Sequence, residues 1–494
     1  MRFNKQPVMQ GTELSSEFKL YLLAVSPATH TDNLTGVEAR VKDLVGKVAP
    51  EFTAKLASYT RRKLNNRTAA LLLTAELCRQ HGGAWSRAAV FNVVQRVDEF
   101  ADLTAAVAQR SQLKSVPGGV HKKAKLSNIP NSLKRGLAAV FESGRFDEFQ
   151  YSKWDKQNCA IKLRDVLFMV RPKPQNEGQV ELFKKIADRK LTPAVTHEKV
   201  MGKIRAEGGT KEEIAEATCE AWAELLVAKK LSHLALIREC KHILSADERL
   251  ASLYVEEFLR TAEKANTFPH SYKSMLEMVT QCPGISMTVL KKLVDAVQQV
   301  MLLRANRVGS LFGKRIVVVI DVSASMGIPV NYKHGSVKRY DVALSLGCAL
   351  LASGDHRGIV FSDRAAYVPP ISTDLFTAMM AVQNIIPNGC TDFSAAQKLI
   401  QKLDAASFDA VLVLTDMGFN TGLDATASGM VSCSRGKPVY FVDIDGSNLE
   451  HPVNFSKNCY FLAGLSEASI ELMQKVRQGN SVIDEIMAYA LISP

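Results

Sequence analysis

The chain has 494 residues, enough for more than one hydrophobic core at roughly 100–200 residues per domain. Hydrophobic residues make up 47% and charged residues 23%, which excludes a disordered or fibrous chain. No apolar run approaches the roughly 18–20 residues that cross a bilayer. The amino terminus, MRFNKQPVMQGTELSS, lacks the apolar stretch of a secretory signal, so a soluble cytoplasmic protein is expected, without membrane contact. The nine cysteines are odd in number, scattered and never spaced as CxxC. They read as buried thiols in a reducing compartment.

In chain order, apolar residues at three- and four-residue intervals predict helices almost throughout residues 1–310. Leu20, Leu22, Leu23 and Val25 begin the pattern. It recurs in Arg67–Cys78, Arg87–Val97, Ile214–Ala228, Leu250–Ala262 and Val289–Leu303. Connections are short and marked by Gly, Pro, Asn or Asp, as in His81-Gly82-Gly83 and Pro117-Gly118-Gly119, which suggests stacked antiparallel helix pairs. From Lys314 the rhythm changes. Arg315–Asp321, Gly358–Phe361, Ala410–Asp416 and Val439–Asp445 are short apolar strands. Helices are expected between and after them at Val342–Ala352, Leu375–Ile386, Ala395–Leu403 and Glu467–Arg477. Strands alternating with helices predict a doubly wound parallel sheet covered on both faces, with ligands beyond the carboxyl ends of the strands. The expected modules are therefore 1–310, α-helical, and 311–494, α/β, joined near Asn306–Lys314.

Charge divides at the same place. Residues 311–494 carry 14 basic and 17 acidic side chains, leaving 48 basic and 33 acidic in residues 1–310. Arg110–Lys173 alone carries 14 basic and 5 acidic. Such a stretch is either a set of solvated helix faces or the footprint of an anionic partner, most plausibly nucleic acid. Candidate phosphate contacts are Lys122, Lys123 and Lys125 in a loop and Lys134 and Arg135 at a helix start. Lys153, Lys156, Lys162, Arg164, Arg171 and Lys173 complete the set. Phe149, Tyr151 and Trp154 lie among these cations as possible stacking surfaces, but at helical spacing Phe149 and Trp154 read first as core.

The sharpest local signal is Asp321-Val322-Ser323-Ala324-Ser325, closing a β-branched strand. Alternate side chains leave the sheet on one side, so Asp321, Ser323 and Ser325 can converge as hard oxygen ligands of a kind that suits Mg²⁺. Thr391, in a later loop, and Asp416, ending the strand VLVLTD, stand where further ligands are needed. Catalytic signatures are missing. Ser323 stands where a haloacid-dehalogenase-type phosphotransferase needs its second Asp, Met201 stands where a zinc protease needs its second His, and no Gly-x-Ser-x-Gly elbow occurs. A metal-dependent nuclease or phosphatase would also need a second carboxylate pair and a general base. No enzyme is expected.

Asp-x-Ser-x-Ser with a later Thr and a later strand-end Asp resembles the metal-ion-dependent adhesion site of the von Willebrand factor A domain. That resemblance implies that Ser323, Ser325 and Thr391 contact Mg²⁺ or another hard divalent cation. Asp321 and Asp416 would hold its waters and hydroxyls, with one position open to a partner's carboxylate. In the helical half, Ile129-Pro130-Asn131-Ser132-Leu133-Lys134-Arg135 leads to Lys162-Leu163-Arg164-Asp165-Val166-Leu167 and Arg171-Pro172-Lys173-Pro174. With Trp222 and Leu231–Arg238, these segments resemble the TROVE module of the Ro autoantigen family. Glu239 departs from the family's usual Asn, and Val25–Thr31 lacks its Gly-Gly-Thr-Tyr-Tyr.

Proteins of that family also end in an A-like domain, so the resemblance spans nearly the whole chain and is closest to bacterial or phage-type relatives. It implies a ring or solenoid of HEAT-like helices followed by an A-like domain, acting as a monomer within a ribonucleoprotein. Small noncoding Y-like RNA is expected on a basic outer surface and single-stranded ends of misfolded RNA in the ring. RNA quality control or processing with an exoribonuclease is the implied role. The competing reading is a protein-binding scaffold whose metal site grips an acidic partner.

Overall fold

A computed structural model describes residues 15–25, 35–109, 128–155, 159–194, 196–229, 231–263, 269–280, 285–329, 337–371, 374–418, 423–444, 458–463, 475 and 481–493. Among the described residues ten helices come first: α1 (Ser16–Val25), α2 (Thr35–Val45), α3 (Pro50–Arg62), α4 (Arg67–Gln80), α5 (Gly83–Val93), α6 (Asp98–Gln109), α7 (Asn131–Glu142), α8 (Glu148–Trp154), α9 (Leu163–Val170) and α10 (Glu177–Asp188). Their starts are written in the sequence. The Asn66 side chain accepts the Ala69 N–H at the head of α4, and Asp147 and Gln150 form a reciprocal capping box on α8. Helix α5 stops at Val93, short of the expected Val97, because the Gln95 and Arg96 N–H groups donate to the Glu99 carboxylate at 2.7 and 3.0 Å. Gly136 lets α7 lie directly on α5, since a Cβ there would sit 2.6 Å from that of Val90.

Glu99 also organises the interior of this region. It is fully buried and accepts from Arg61 at 2.8 Å and from Arg67 at 3.0 Å. Arg67 reaches on to Asp98 and Asp102, and Arg96 pairs with Asp98 at 2.7 Å. Three of the arginines in the amino-terminal region are thus committed to internal pairing.

Six further helices follow: α11 (His197–Glu207), α12 (Lys211–Val227), α13 (His233–Ala246), α14 (Ala251–Ala262), α15 (Pro269–Thr280) and α16 (Met287–Phe312). The sheet comes next, with β1 (Ile316–Asp321), β2 (Arg357–Phe361), β3 (Ala365–Val368), β4 (Ala410–Thr415), β5 (Val439–Asp443) and β6 (Cys459–Ala463), in the order β3-β2-β1-β4-β5-β6. All neighbours are parallel except β2 and β3. The expected parallel sheet therefore gains an antiparallel edge strand, because residues 362–364 are too few for a crossover helix. Helices α17 (Arg339–Ser353), α18 (Leu375–Gln383), α19 (Ser394–Gln401) and α20 (Leu423–Cys433) intervene. Val317 and Val319 face a core with Phe393, just before α19, Ala396 and Ile400 of α19 and Met430 of α20. Ile320 faces the other way, against Gly347 of α17, where an added Cβ would lie 2.5 Å from its Cδ1. The sheet is covered on both faces, as its continuous apolar strands require.

Packing divides the chain elsewhere than the change of rhythm. One unit runs to Thr196 and takes back the chain from Lys475 onward. The other runs from His197 to Gln474. Residues 306–312, expected as a junction between modules 1–310 and 311–494, are the last turns of α16, with Val308, Gly309 and Phe312 buried. Periodicity registers a change of secondary structure. A packing unit is set by which faces cover one another, and α16 lies on the sheet side, its Phe312 ring edge-on to Tyr440 at 4.8 Å. At the other end, α21 (Val482–Met487) and the residues after it, expected within the second module, pack on the first unit. The Lys55 ammonium donates to the Met487 carbonyl, Tyr489 meets Tyr59 edge-on, and Asn92 exchanges hydrogen bonds with Ile492 at 2.8 and 3.1 Å.

Among the described residues no helix is long and apolar enough to cross a membrane. Cys78, Cys240, Cys348, Cys433 and Cys459 are buried and outside any disulfide, whereas Cys390 is exposed. The expected helix Glu467–Arg477 lies outside the described residues apart from Lys475. Replacing Glu99 by Ala should destabilise the first unit by about 3–5 kcal/mol, the usual cost of stripping a buried charge network of one partner. Urea unfolding followed on the full chain measures this. A loss under about 1 kcal/mol would mean that the network carries no more than a surface ion pair.

Candidate metal centre and nucleic-acid interface

The carboxyl ends of β1 and β4 lie side by side, β1 ending on the buried Asp321 and β4 followed by the buried Asp416. Asp321 closes β1. Its Oδ1 accepts the Ser323 N–H at 2.8 Å and its Oδ2 accepts the Thr415 hydroxyl at 2.6 Å. Those two bonds bend the chain so that Ser323 Oγ and Ser325 Oγ come within 3.2 Å of each other. Asp416 follows β4. The Gly418 N–H donates to its Oδ1 at 3.1 Å, and Arg339 Nη1, in the first turn of α17, donates to its Oδ2 at 2.8 Å. A Cβ on Gly418 would lie 3.8 Å from Ser325 Oγ, so the turn after β4 borders the serine turn.

Thr391 is buried in the loop between α18 and α19. That loop is tied to the serine turn by the Ala324 N–H, which donates to the Gly389 carbonyl at 3.0 Å, and to the end of β2 by the Asp392 N–H on the Ser362 carbonyl at 2.9 Å. A Cβ on Gly389 would stand 2.3 Å from Asp363 Oδ1, so a larger residue would have to turn that exposed carboxylate aside. All five residues singled out from the sequence thus belong to one set of linked strand-end turns. Two residues of the same site were not anticipated, Thr415 and Arg339. Thr415 carries its signal in the sequence, as the hydroxyl next to Asp416 in VLVLTD. Arg339 has none, since its partner is 77 positions away.

The donor set is made only of oxygens from carboxylates and hydroxyls, which fits Mg²⁺ or Mn²⁺ and not a soft metal. Among the described residues no group of three His, Cys, Asp or Glu side chains is placed to hold a metal, so a cation here depends on the hydroxyls of Ser323, Ser325 and Thr391. Burial pushes the Asp321 carboxyl up to about 6. The hydrogen bonds from Thr415 and Ser323 oppose that rise, and the neighbouring Asp416 charge adds to it.

The basic candidates described all fall within the first packing unit. Lys134 and Arg135 stand in the first turn of α7, half-buried and exposed respectively. Lys153 lies in the last turn of α8, Lys162 precedes α9, and Arg164 lies on α9. Arg171 takes a left-handed conformation just past α9, and Lys173 follows it, both exposed. The Lys173 N–H donates to Glu142 at 2.7 Å, which ties this exit to the end of α7. Lys122, Lys123, Lys125 and Lys156 lie outside the described residues. Tyr151 is core, but Phe149, expected in the core, is 48% exposed. The short α8 buries only its Tyr151 face, which leaves Phe149 outward. Trp154 is half-buried, with the Arg96 guanidinium 3.9 Å over its ring and Lys153 at 5.3 Å. Phe168, not anticipated, is 51% exposed with Arg164 lying 5.1 Å over it.

The Asp321 environment predicts a pH dependence. The unfolded chain ionises this residue near 4, whereas the folded chain keeps its proton until about 6. Its contribution to stability is therefore complete below about pH 4 and is lost as pH rises to about 6. In the presence of a chelator, the melting midpoint should carry a falling component over that interval that Asp321→Asn removes. Identical pH profiles for the two proteins would contradict the assignment.

No protein-family model matches the sequence, and no curated protein matches it either. Among solved structures, the crystal structure of the Deinococcus radiodurans Ro (RSR) protein is similar over 94% of this chain and 100% of its own, at 15% identity and a TM-score of 0.58. An aerotolerance-related membrane protein from Bacteroides fragilis aligns with 35% of this chain and 100% of its own at 19% identity, but its TM-score of 0.21 carries no argument. The chain therefore has the fold of the Deinococcus Ro protein, helices first and a six-stranded sheet after them.

Proposed function

We propose that this protein is an RNA-binding protein of the Ro ribonucleoprotein type, without catalytic activity of its own. In this reading it takes small noncoding, Y-like RNA and the single-stranded ends of misfolded or structured RNA on its first packing unit. It serves RNA quality control or processing beside an exoribonuclease, as a single protein chain in a cytoplasmic ribonucleoprotein.

One observation carries the RNA reading, the partition of charge by packing unit. The first unit holds 34 basic and 20 acidic side chains, and the second 28 basic and 30 acidic. The excess is concentrated further than the split at residue 310 suggests, because residues 197–310 are almost neutral, with 16 basic and 15 acidic. A polyanion is attracted to one unit and not to the other. Exposed rings beside cations, Phe149 near Lys153 in sequence and Phe168 under Arg164, supply the faces on which unpaired bases stack.

A second role is favoured by the strand-end site. Ser323, Ser325 and Thr391 would hold Mg²⁺ or a similar cation, with Asp321 and Asp416 orienting its water and hydroxyl neighbours. The cation supplies a Lewis-acidic point for an acidic group of a protein partner. The two roles are compatible, since they use different units.

Affinity for a structured RNA with a single-stranded end should fall steeply with salt. Replacing Lys134 and Arg135 together by Ala should weaken binding and flatten the log–log salt slope by about 1.4 if both meet phosphates of a single strand. Asp416→Ala should leave RNA affinity unaltered. Normal binding by the double variant at low salt, or a loss in Asp416→Ala as large, would overturn this division of labour.

A further inference from the structure

We propose that Arg339 is a built-in counter-cation of the strand-end site, a guanidinium that a divalent cation has to displace from Asp416 in order to bind. The proposal rests on reading that site as a cation site. It adds the element that sets the site's affinity.

The two buried carboxylates are neutralised differently. Asp321 accepts only from neutral donors, the Thr415 hydroxyl and the Ser323 N–H. Neither donor obstructs an ion beside the serine hydroxyls. Asp416 also accepts the Gly418 N–H, but its other oxygen lies 2.8 Å from the charged Arg339 Nη1. The two side chains are 2% and 13% exposed, so water screens this pair poorly. A divalent ion drawing on the same carboxylate would meet a unit positive charge a few ångströms away in a weakly screened place. One of the two cations has to yield.

The one able to move is the arginine. Its backbone is fastened: the Arg339 N–H donates to the Ile328 carbonyl at 3.1 Å, and the preceding Lys338 N–H is capped by Asp341 at 2.8 Å. Its side chain is long and 13% exposed, so the guanidinium can turn away from Asp416 through a rotamer change. The aspartates and serines, by contrast, are pinned by the turns described above. Without an ion, Arg339 compensates Asp416. With one, the ion takes over that compensation and the arginine turns outward.

The opposite role is equally concrete. Arg339 would then be a positioning residue, orienting Asp416 for the ion, and its loss would weaken metal binding. Titration of the full chain with Mn²⁺, read by the free-ion electron paramagnetic resonance signal and by calorimetry, separates the two. Arg339→Gln should bind Mn²⁺ at least about tenfold more tightly than wild type, whereas Arg339→Lys, which keeps the charge, should stay within about threefold of it. If wild type binds and Arg339→Gln binds equally or more weakly, the counter-cation role is overturned while the cation site stands. If neither binds at millimolar Mn²⁺, the site reading falls and this proposal with it. Should Arg339→Gln not fold, the wild-type protein decides. In a crystal structure with Mn²⁺ bound, Arg339 Nη1 should lie beyond hydrogen-bonding distance of Asp416 Oδ2. A retained 2.8 Å contact would overturn the proposal.

Discussion

Two carboxylates buried side by side at the ends of neighbouring parallel strands are the constraint on which the second unit turns. A buried carboxylate is tolerated only when its charge is removed or compensated. Asp321 does the first in part, holding its proton to about pH 6 against the bonds from Thr415 and Ser323. Asp416 does the second through Arg339. The local architecture follows from meeting these demands. The serine turn folds back on Asp321, the Gly389 carbonyl accepts the Ala324 N–H of that turn, and α17 begins where its first residue reaches Asp416. The result gathers carboxylate and hydroxyl oxygens at one place, the kind of donor that hard cations take.

The first unit meets a different demand. It carries the protein's surplus of positive charge, yet part of its arginine content faces inward, on Glu99, Asp98 and Asp102. Those pairs tie α3, α4 and α6 together. The cations left outward, on α7, on α9 and after it, are the ones a phosphate backbone can reach. The return of the chain from Lys475 onto α3 and α5 joins the two ends of the sequence within one unit.

Much of this was legible in the sequence, for identifiable reasons. Four strands with continuous β-branched or apolar residues declared themselves, as did helices whose caps stand in the sequence, such as Asn66 and Asp147. The five candidate ligands were readable because they lie at strand ends or in a loop between regular elements. Less legible were features decided by distant contacts. The edge strand β3 is four residues long and half exposed, so it carries no strong pattern. The packing boundary at residue 196 has no change of rhythm to mark it, because helices continue on both sides. Arg339 could not be paired with Asp416 from sequence, since only the closing of the sheet brings them together. Phe149 misled because a seven-residue helix cannot bury both of its faces.

The central claim is that RNA is held by the unit formed by residues 12–196 and 475–494 and not by residues 197–474. Photocrosslinking of the full-length protein to a structured RNA with a single-stranded tail, with crosslinked peptides mapped by mass spectrometry, tests it most directly. The account predicts crosslinks concentrated in the first unit, at aromatic and basic positions of α7, α8 and α9, and few in the second. A majority of crosslinks in residues 197–474, above all around the strand-end site, would contradict it.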